Sequence, residues 1–259
     1  MITFDDGYAN NYSLAFPILQ RYRAKATVFL TTGFVDRRIH LGTDRLDYLV
    51  HNAPGDIHEF VWRGQRIRLR ENADGPGEEA PGAREFLKRL PFEETHAFLQ
   101  GLQERIGIHY DWDAVPPALL PLHWHEIRKM HESGLVVFGA HTFSHPILSH
   151  CPVDVQEFEI GESKRRVEGE LGVECTLFAY PNGMREDYTQ ETKTLLTAAG
   201  FTYAFTAEGG HNAAEPQDPY ELKRWGTEMN QADLIYLLAG GASAMAQLTR
   251  LTSSAPPAQ

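Results

Sequence analysis

"LHWHEIRKMHESGLVVFGAHTFSHP" fills residues 122–146, and its reading decides the fold. The first half is helical in pattern, and Gly134 ends it in the way helices commonly end. An apolar run follows over residues 134–142 without strict alternation, which suits a strand covered on both faces. Two histidines, His141 and His145, come where that strand runs out.

The same form recurs on either side. Apolar runs at residues 1–4, 25–32, 175–181 and 201–207 read as further strands, and "ELKRWGT" at 221–227 as a candidate sixth. Helical patterns cover residues 10–23, interrupted by Pro17, then 153–172 and 187–200, with Gly172 and Gly200 as stops. Helix, glycine, strand, repeated, means βα units and a parallel sheet, either a barrel or an open α/β sheet. Residues 36–121 fit this less well. They read as an insertion carrying two helices, 84–90 and 92–105, with a Gly/Pro/acid loop at 71–83. One domain is expected over residues 1–251, with 252–259 as a disordered tail.

Composition excludes some partners. The 259 residues carry a formal net charge of −11, so the surface repels phosphate backbones and anionic membrane, and nucleic acid is a poor partner. Cys151 and Cys175 belong to no CxxC or Cys/His cluster and read as buried free thiols. No apolar run approaches the roughly 20 residues a spanning helix needs. No signal peptide is legible, since Asp5 and Asp6 stand where a basic region would be. The first strand begins so close to residue 1 that a missing upstream segment, and the compartment, are left open.

The unusual polar residues follow the strands: Asp5 and Asp6 the first, His141 and His145 the third, Tyr180, Pro181 and Asn182 the fourth. In parallel α/β folds the carboxyl ends of the strands share one face, where active sites form. Taken singly, Asp-Asp-Gly and Tyr-Pro-Asn-Gly are turns, and His-x-x-x-His is chance or a helix face. Gly139 and Pro146 weaken the helix reading. Together, one carboxylate and two imidazoles suit Zn²⁺ or a similar divalent ion, and three protein ligands leave positions open for catalysis. The two acids then divide the work. Asp6 holds metal and Asp5 takes a proton, with Gly7 permitting the sharp exit that lets both face the cleft.

"TFDDG", "HTFSH" and "FAYPNG" resemble the motifs of the polysaccharide deacetylase superfamily, the NodB-homology or carbohydrate esterase family 4 proteins, and the resemblance runs along most of the chain. It implies a deformed (β/α) barrel and metal-dependent removal of acetyl from an N-acetylated sugar, so the partner is a carbohydrate. Residue by residue it implies Asp5 as base, Asp6, His141 and His145 as metal ligands, and the Pro181–Asn182 backbone as an oxyanion support.

Two departures stand out. The family's late Leu-x-x-His, which supplies the proton to the leaving amine, is here "LKRW" (residues 222–225), and indole is no general acid at neutral pH. His211 is the internal candidate to replace it. His123 and His125 read as surface or cap residues. Ala179 stands where many relatives carry an arginine that braces the base, and Arg224 is the candidate to reach the same place. Tyr8, Trp124, Tyr180 and Trp225 are candidates to stack on sugar rings or to pack in the core, with Trp225 the foremost. The leading reading is an N-deacetylase of an amino-sugar polymer or oligomer. A small amide or imide hydrolase of the same fold is one rival, and a metal- and glycan-binding domain without turnover is the other.

Overall fold

The structure is a computed structural model, and it describes residues 1–55, 57–69, 81–113 and 115–226. β1 (Ile2–Phe4) leads through α1 (Phe16–Tyr22) to β2 (Ala26–Leu30) and a short α2 (Thr32–Val35). An inserted stretch follows: α3 (Gly42–Asn52), a hairpin of β3 (Glu59–Trp62) and β4 (Gln65–Arg68), then α4 (Ala83–Arg89) and α5 (Phe92–Ile106). The main fold resumes with α6 (Trp124–Glu132), β5 (Val136–Ala140), α7 (Val153–Leu171), β6 (Leu177–Ala179), α8 (Gln190–Ala198) and β7 (Tyr203–Phe205).

The sheet is parallel throughout, in the order β1-β2-β5-β6-β7. It curls into a half-barrel, in keeping with the deformed (β/α) barrel that the resemblance implies. The curl can be read from one side chain. Arg224 follows the segment beside β7, one edge of the sheet, yet its guanidinium lies 3.3 Å from Thr3 Oγ1 on β1, the other edge. All five residues of β2 are buried, as its unbroken apolar run predicts. Val28, Leu30, Val136, Phe138 and Phe178 form the core with Ile127 and Met130 of α6, Ile160 and Val167 of α7, and Leu196 of α8. Gly139 is required here. A Cβ on it would meet the Phe29 ring at 2.6 Å and the Leu177 carbonyl at 2.7 Å.

Three expectations change. Pro17 does not interrupt the first helix. A π-helical turn at Asn11–Ala15 runs into α1, and Pro17 stands at the start of α1, where the helix type changes. Residues 221–226 form no strand. β7 offers only three residues, and pairing stops at a single parallel bridge between Phe205 and Leu222. The insertion holds more than two helices. α3 and the β3–β4 hairpin join α4 and α5 around a second apolar cluster of Leu46, Leu49, Phe60, Ile67, Phe86, Phe98 and Leu102. Most of the 71–83 loop and the whole 252–259 tail lie outside the described residues. Both cysteines are free and buried, and burial pushes each thiol up to about 12. Among the described residues no helix is long and apolar enough to cross a membrane.

Candidate metal centre and its surroundings

Adjacent strand ends are stitched together by backbone hydrogen bonds. Thr31 N–H donates to the Asp6 carbonyl (3.2 Å), and His141 N–H donates to the Leu30 carbonyl (2.9 Å). This sets Asp6 and His141 on either side of the end of β2. His141 Nε2 lies 3.6 Å from Asp6 Oδ1, and His145 Nε2 lies 3.3 Å from the same oxygen. One donor atom from each of the three residues lies within 4.8 Å of the others.

Backbone conformation supplies what regular strands cannot. Asp6 (φ 71°), Thr142 (φ 64°), His145 (φ 63°) and Asn182 (φ 60°) are all left-handed, although none is glycine. For a β-branched residue such as Thr142 that conformation is strained. Such strain gathers where surrounding structure holds side chains for a purpose. The turn after β1 therefore begins at Asp6 itself, one residue before Gly7 (φ 89°), where the sequence placed it.

The two histidines are held from behind. His141 is 2% exposed and its Nδ1 pairs with the Ala179 carbonyl at 2.7 Å. A proton on Nδ1 leaves the Nε2 lone pair facing Asp6. Burial keeps the imidazole below its ordinary pKa, so the neutral, ligating form is favoured. His145 is placed by the carboxylate of Glu159 on α7, which accepts from Phe143 N–H (2.8 Å), Ser144 N–H (2.7 Å) and the Ser144 hydroxyl. Burial raises the Glu159 pKa, and those three donors pull the other way.

The donor set fits a divalent cation on this structure's own terms. Asp6 Oδ1 is buried with no hydrogen-bond partner, although two imidazole nitrogens approach it. A buried, unpartnered carboxylate oxygen is costly unless something positive meets it. Asp6 and His145 remain 22% and 21% exposed at their side chains, so the cluster opens to solvent.

Asp5 has a different environment. Arg224 grips both its oxygens, Nη1 to Oδ1 at 2.7 Å and Nη2 to Oδ2 at 2.8 Å. Arg224 Nε in turn donates to the Thr206 carbonyl at 2.9 Å, which fixes the guanidinium. Burial alone would raise the Asp5 pKa, but His141 and Arg224 outweigh it and hold the carboxyl below the usual range. Asp5 and Arg224 line a cavity with Thr3, Ala207 and Trp225, and Trp225 is 40% exposed there.

The other candidates divide. His211 is exposed and sits edge-on to Trp225, ring centroids 5.8 Å apart. Asn182 lines a second cavity together with His145. The Tyr180 ring offers no face to a ligand, because it is 1% exposed, stacked on Tyr188, and hydrogen-bonded to the Tyr220 carbonyl. Pro181 is buried as well. Trp124 is structural, donating to Asp36 at 2.7 Å with Arg166 over its ring. His123 caps α6, its N–H bonded to Glu126.

The sequence reading missed Glu159 and Asp44, and it named Tyr8 only for sugar stacking or core packing. The Tyr8 hydroxyl donates to the Asp44 carboxylate at 2.9 Å, joining the segment after Asp6 to α3 of the insertion. Burial, with the charge of Asp6, pushes Asp44 up to about 6 against the lowering effect of that hydrogen bond. A lone acid in an amphipathic helix gives no local signal, and only the tertiary structure shows what it faces.

Comparison with known proteins bears on the family and the fold. The sequence profile of the family described as polysaccharide deacetylase matches residues 1–69 and 73–204. Over 53 residues the chain is 41% identical to YxkH of Bacillus subtilis, assigned by name to the polysaccharide deacetylases; the match covers 20% of this chain and 19% of that protein. Among solved structures, the deacetylase PplD of Streptococcus pyogenes superposes over 90% of this chain and 67% of its own, with a TM-score of 0.54 and 20% identity. IcaB from Ammonifex degensii does so over 92% and 71%, with a TM-score of 0.52 and 18% identity. At such identities the likeness speaks for the fold.

Proposed function

The chain belongs to the polysaccharide deacetylase family, and on that premise we propose that it removes N-acetyl groups from an amino-sugar polysaccharide or oligosaccharide by metal-assisted hydrolysis. One observation carries the reading. Asp6, His141 and His145 converge from two distant segments around a buried carboxylate oxygen that has no other partner.

In this reading Asp6, His141 and His145 hold the ion, and one carboxylate with two imidazoles favours Zn²⁺. When bound, the ion supplies Lewis acidity, polarising an amide carbonyl and acidifying water. Asp5 takes the proton from water as the water attacks the amide carbon. A carboxylate has about four lone-pair sites, so Asp5 can accept that proton while Arg224 occupies one site on each oxygen. Arg224 acts by positioning. The backbone of Pro181 and Asn182 supports the oxyanion, and a well-placed donor there contributes roughly 3–4 kcal/mol in other hydrolases. His211, edge-on to the Trp225 ring that lines the Asp5 cavity, is assigned the protonation of the leaving amine.

The test is acetate release from an N-acetylated chito-oligosaccharide, with metal content measured on the same samples. Chelation should abolish release and zinc should restore it. Asp5→Asn should keep the ion and lose turnover, while His141→Ala should lose both. Full turnover in chelated protein, or in Asp5→Asn, overturns the mechanism.

A further inference from the structure

The cavity shared by His145 and Asn182 has a wall that lies outside the segments TFDDG, HTFSH and FAYPNG. It encloses about 120 Å³, and its far side is built from the insertion, by Leu87 and Lys88 of α4, Leu90, and Phe92 of α5. We propose that this cavity is the subsite for a sugar unit bearing an anionic substituent, adjacent to the unit that reacts, and that Lys88 is the residue that selects it. The inference rests on the deacetylase reading and narrows its substrate class.

Position is the first argument. His145 belongs to the metal cluster and also lines this cavity, so the cavity adjoins the proposed ion site. Surface chemistry is the second. Leu87, Leu90 and Phe92 present apolar groups to the C–H face of a pyranose, the usual complement of mostly apolar lining and a few placed polar groups.

Charge is the third and most specific. α4 carries three cations besides its apolar face. Arg84 is paired with Asp47, and Arg89 with Glu85. Lys88 is different, its Nζ lying 2.6 Å from the neutral amide oxygen of Asn182. Among the described residues no carboxylate comes within the 4.0 Å ion-pair distance of Lys88. In a chain of net charge −11, an ammonium with no ion-pair partner among the described residues, in the cavity that His145 also lines, is a point of positive charge for an anion to meet. An ammonium has three donors, and Asn182 uses one. Asn182 is itself held by Asp187, whose Oδ2 accepts from Nδ2 at 2.6 Å. Lys88 is thereby aimed before any ligand arrives, which lowers the ordering cost of binding.

The experiment uses the zinc-loaded full chain and three oligosaccharides of equal length: a neutral N-acetylglucosamine oligomer, one whose alternate units carry a carboxylate, and one whose alternate units carry a phosphate ester. Dissociation constants are measured by calorimetry, and acetate release is followed separately. Wild type should prefer one or both anionic oligomers to the neutral one by roughly tenfold, and the preference should shrink with added salt. Lys88→Ala should bring the affinity ratio toward one, Lys88→Glu should invert it, and Lys88→Arg should keep it. The comparison of the two anions shows which substituent is read. A wild type without preference, or a ratio indifferent to Lys88→Glu, overturns the subsite even if acetate is released. Lys88-dependent preference without any acetate release upholds the subsite and overturns the deacetylase reading instead.

Discussion

The strand ends of the half-barrel and the inserted lobe solve opposite problems. At the strand ends, polar groups are buried and four non-glycine residues hold left-handed backbone. In the lobe, the buried cluster is apolar, with Phe98 packed among Phe60, Trp62 and Phe86. One region holds reactive groups in place against strain, and the other accumulates packing. The lesson is that substitutions in the two should separate activity from stability.

The largest separation is expected at Asp6. Asparagine tolerates left-handed backbone as aspartate does, so Asp6→Asn should fold. It removes the only carboxylate among the three proposed ligands. Turnover should fall by roughly 10³-fold or more, because several kcal/mol of Lewis-acid stabilisation go with the ion. Metal content should fall with it, while the metal-free thermal midpoint holds or rises, since Oδ1 no longer carries an unmet buried charge. A variant that unfolds would break the contrast.

Phe98→Ala should give the mirror image. Removing a fully buried phenylalanine costs about 3–5 kcal/mol. Hydrogen exchange should show lost protection in α3, α4, α5 and the β3–β4 hairpin, with β2 and β5 still protected and zinc still bound. Equal loss in both regions would mean that the two cores unfold as one.

Arg224→Met probes the boundary between packing and chemistry. It should keep the ion and lower kcat by about 10²-fold, the low end of what a positioned base contributes. The sign of the pH effect follows from the environment of Asp5. Arg224 favours the carboxylate, so its removal raises the Asp5 pKa and moves the acid limb of the rate profile to higher pH. An unmoved limb with unchanged kcat would leave Arg224 a structural residue.

How much of this the sequence could show depended on whether a feature is local. The five strands were legible because each is a short apolar run closed by punctuation, and Asp5, Asp6, His141 and His145 because each comes at such a stop. The left-handed Asp6 was not, since nothing in "DDG" says which residue turns first. The lobe was half legible. Its two later helices carry periodic patterns, but α3 and the hairpin depend on a core assembled from four separate segments. Tyr180 misled for a related reason. It abuts the site in sequence, yet its ring turns inward to stack on Tyr188.

The two regions meet at Asp36, and the smallest effect is expected there. Asp36 lies at the root of the insertion and Trp124 just beyond its other end. The Trp124 indole donates to Asp36 Oδ1, and Arg166 of α7 grips both oxygens at 2.7 and 2.8 Å. One carboxylate thus staples both ends of the insertion to the barrel. Burial would raise its pKa, but the hydrogen bonds from Arg166 and Trp124, with the charges of Arg166 and Arg38, hold it below the ordinary range. A depressed acid contributes stability that is present above its unfolded pKa, about 4, and lost as pH falls through its lower folded value. Asp36→Asn should therefore cost about 1–2 kcal/mol at pH 7, discounted for partial exposure. The gap from wild type should close below about pH 4 in denaturant titrations. A gap that stayed constant across that range would show that shape, and not charge, fastens the lobe to the barrel.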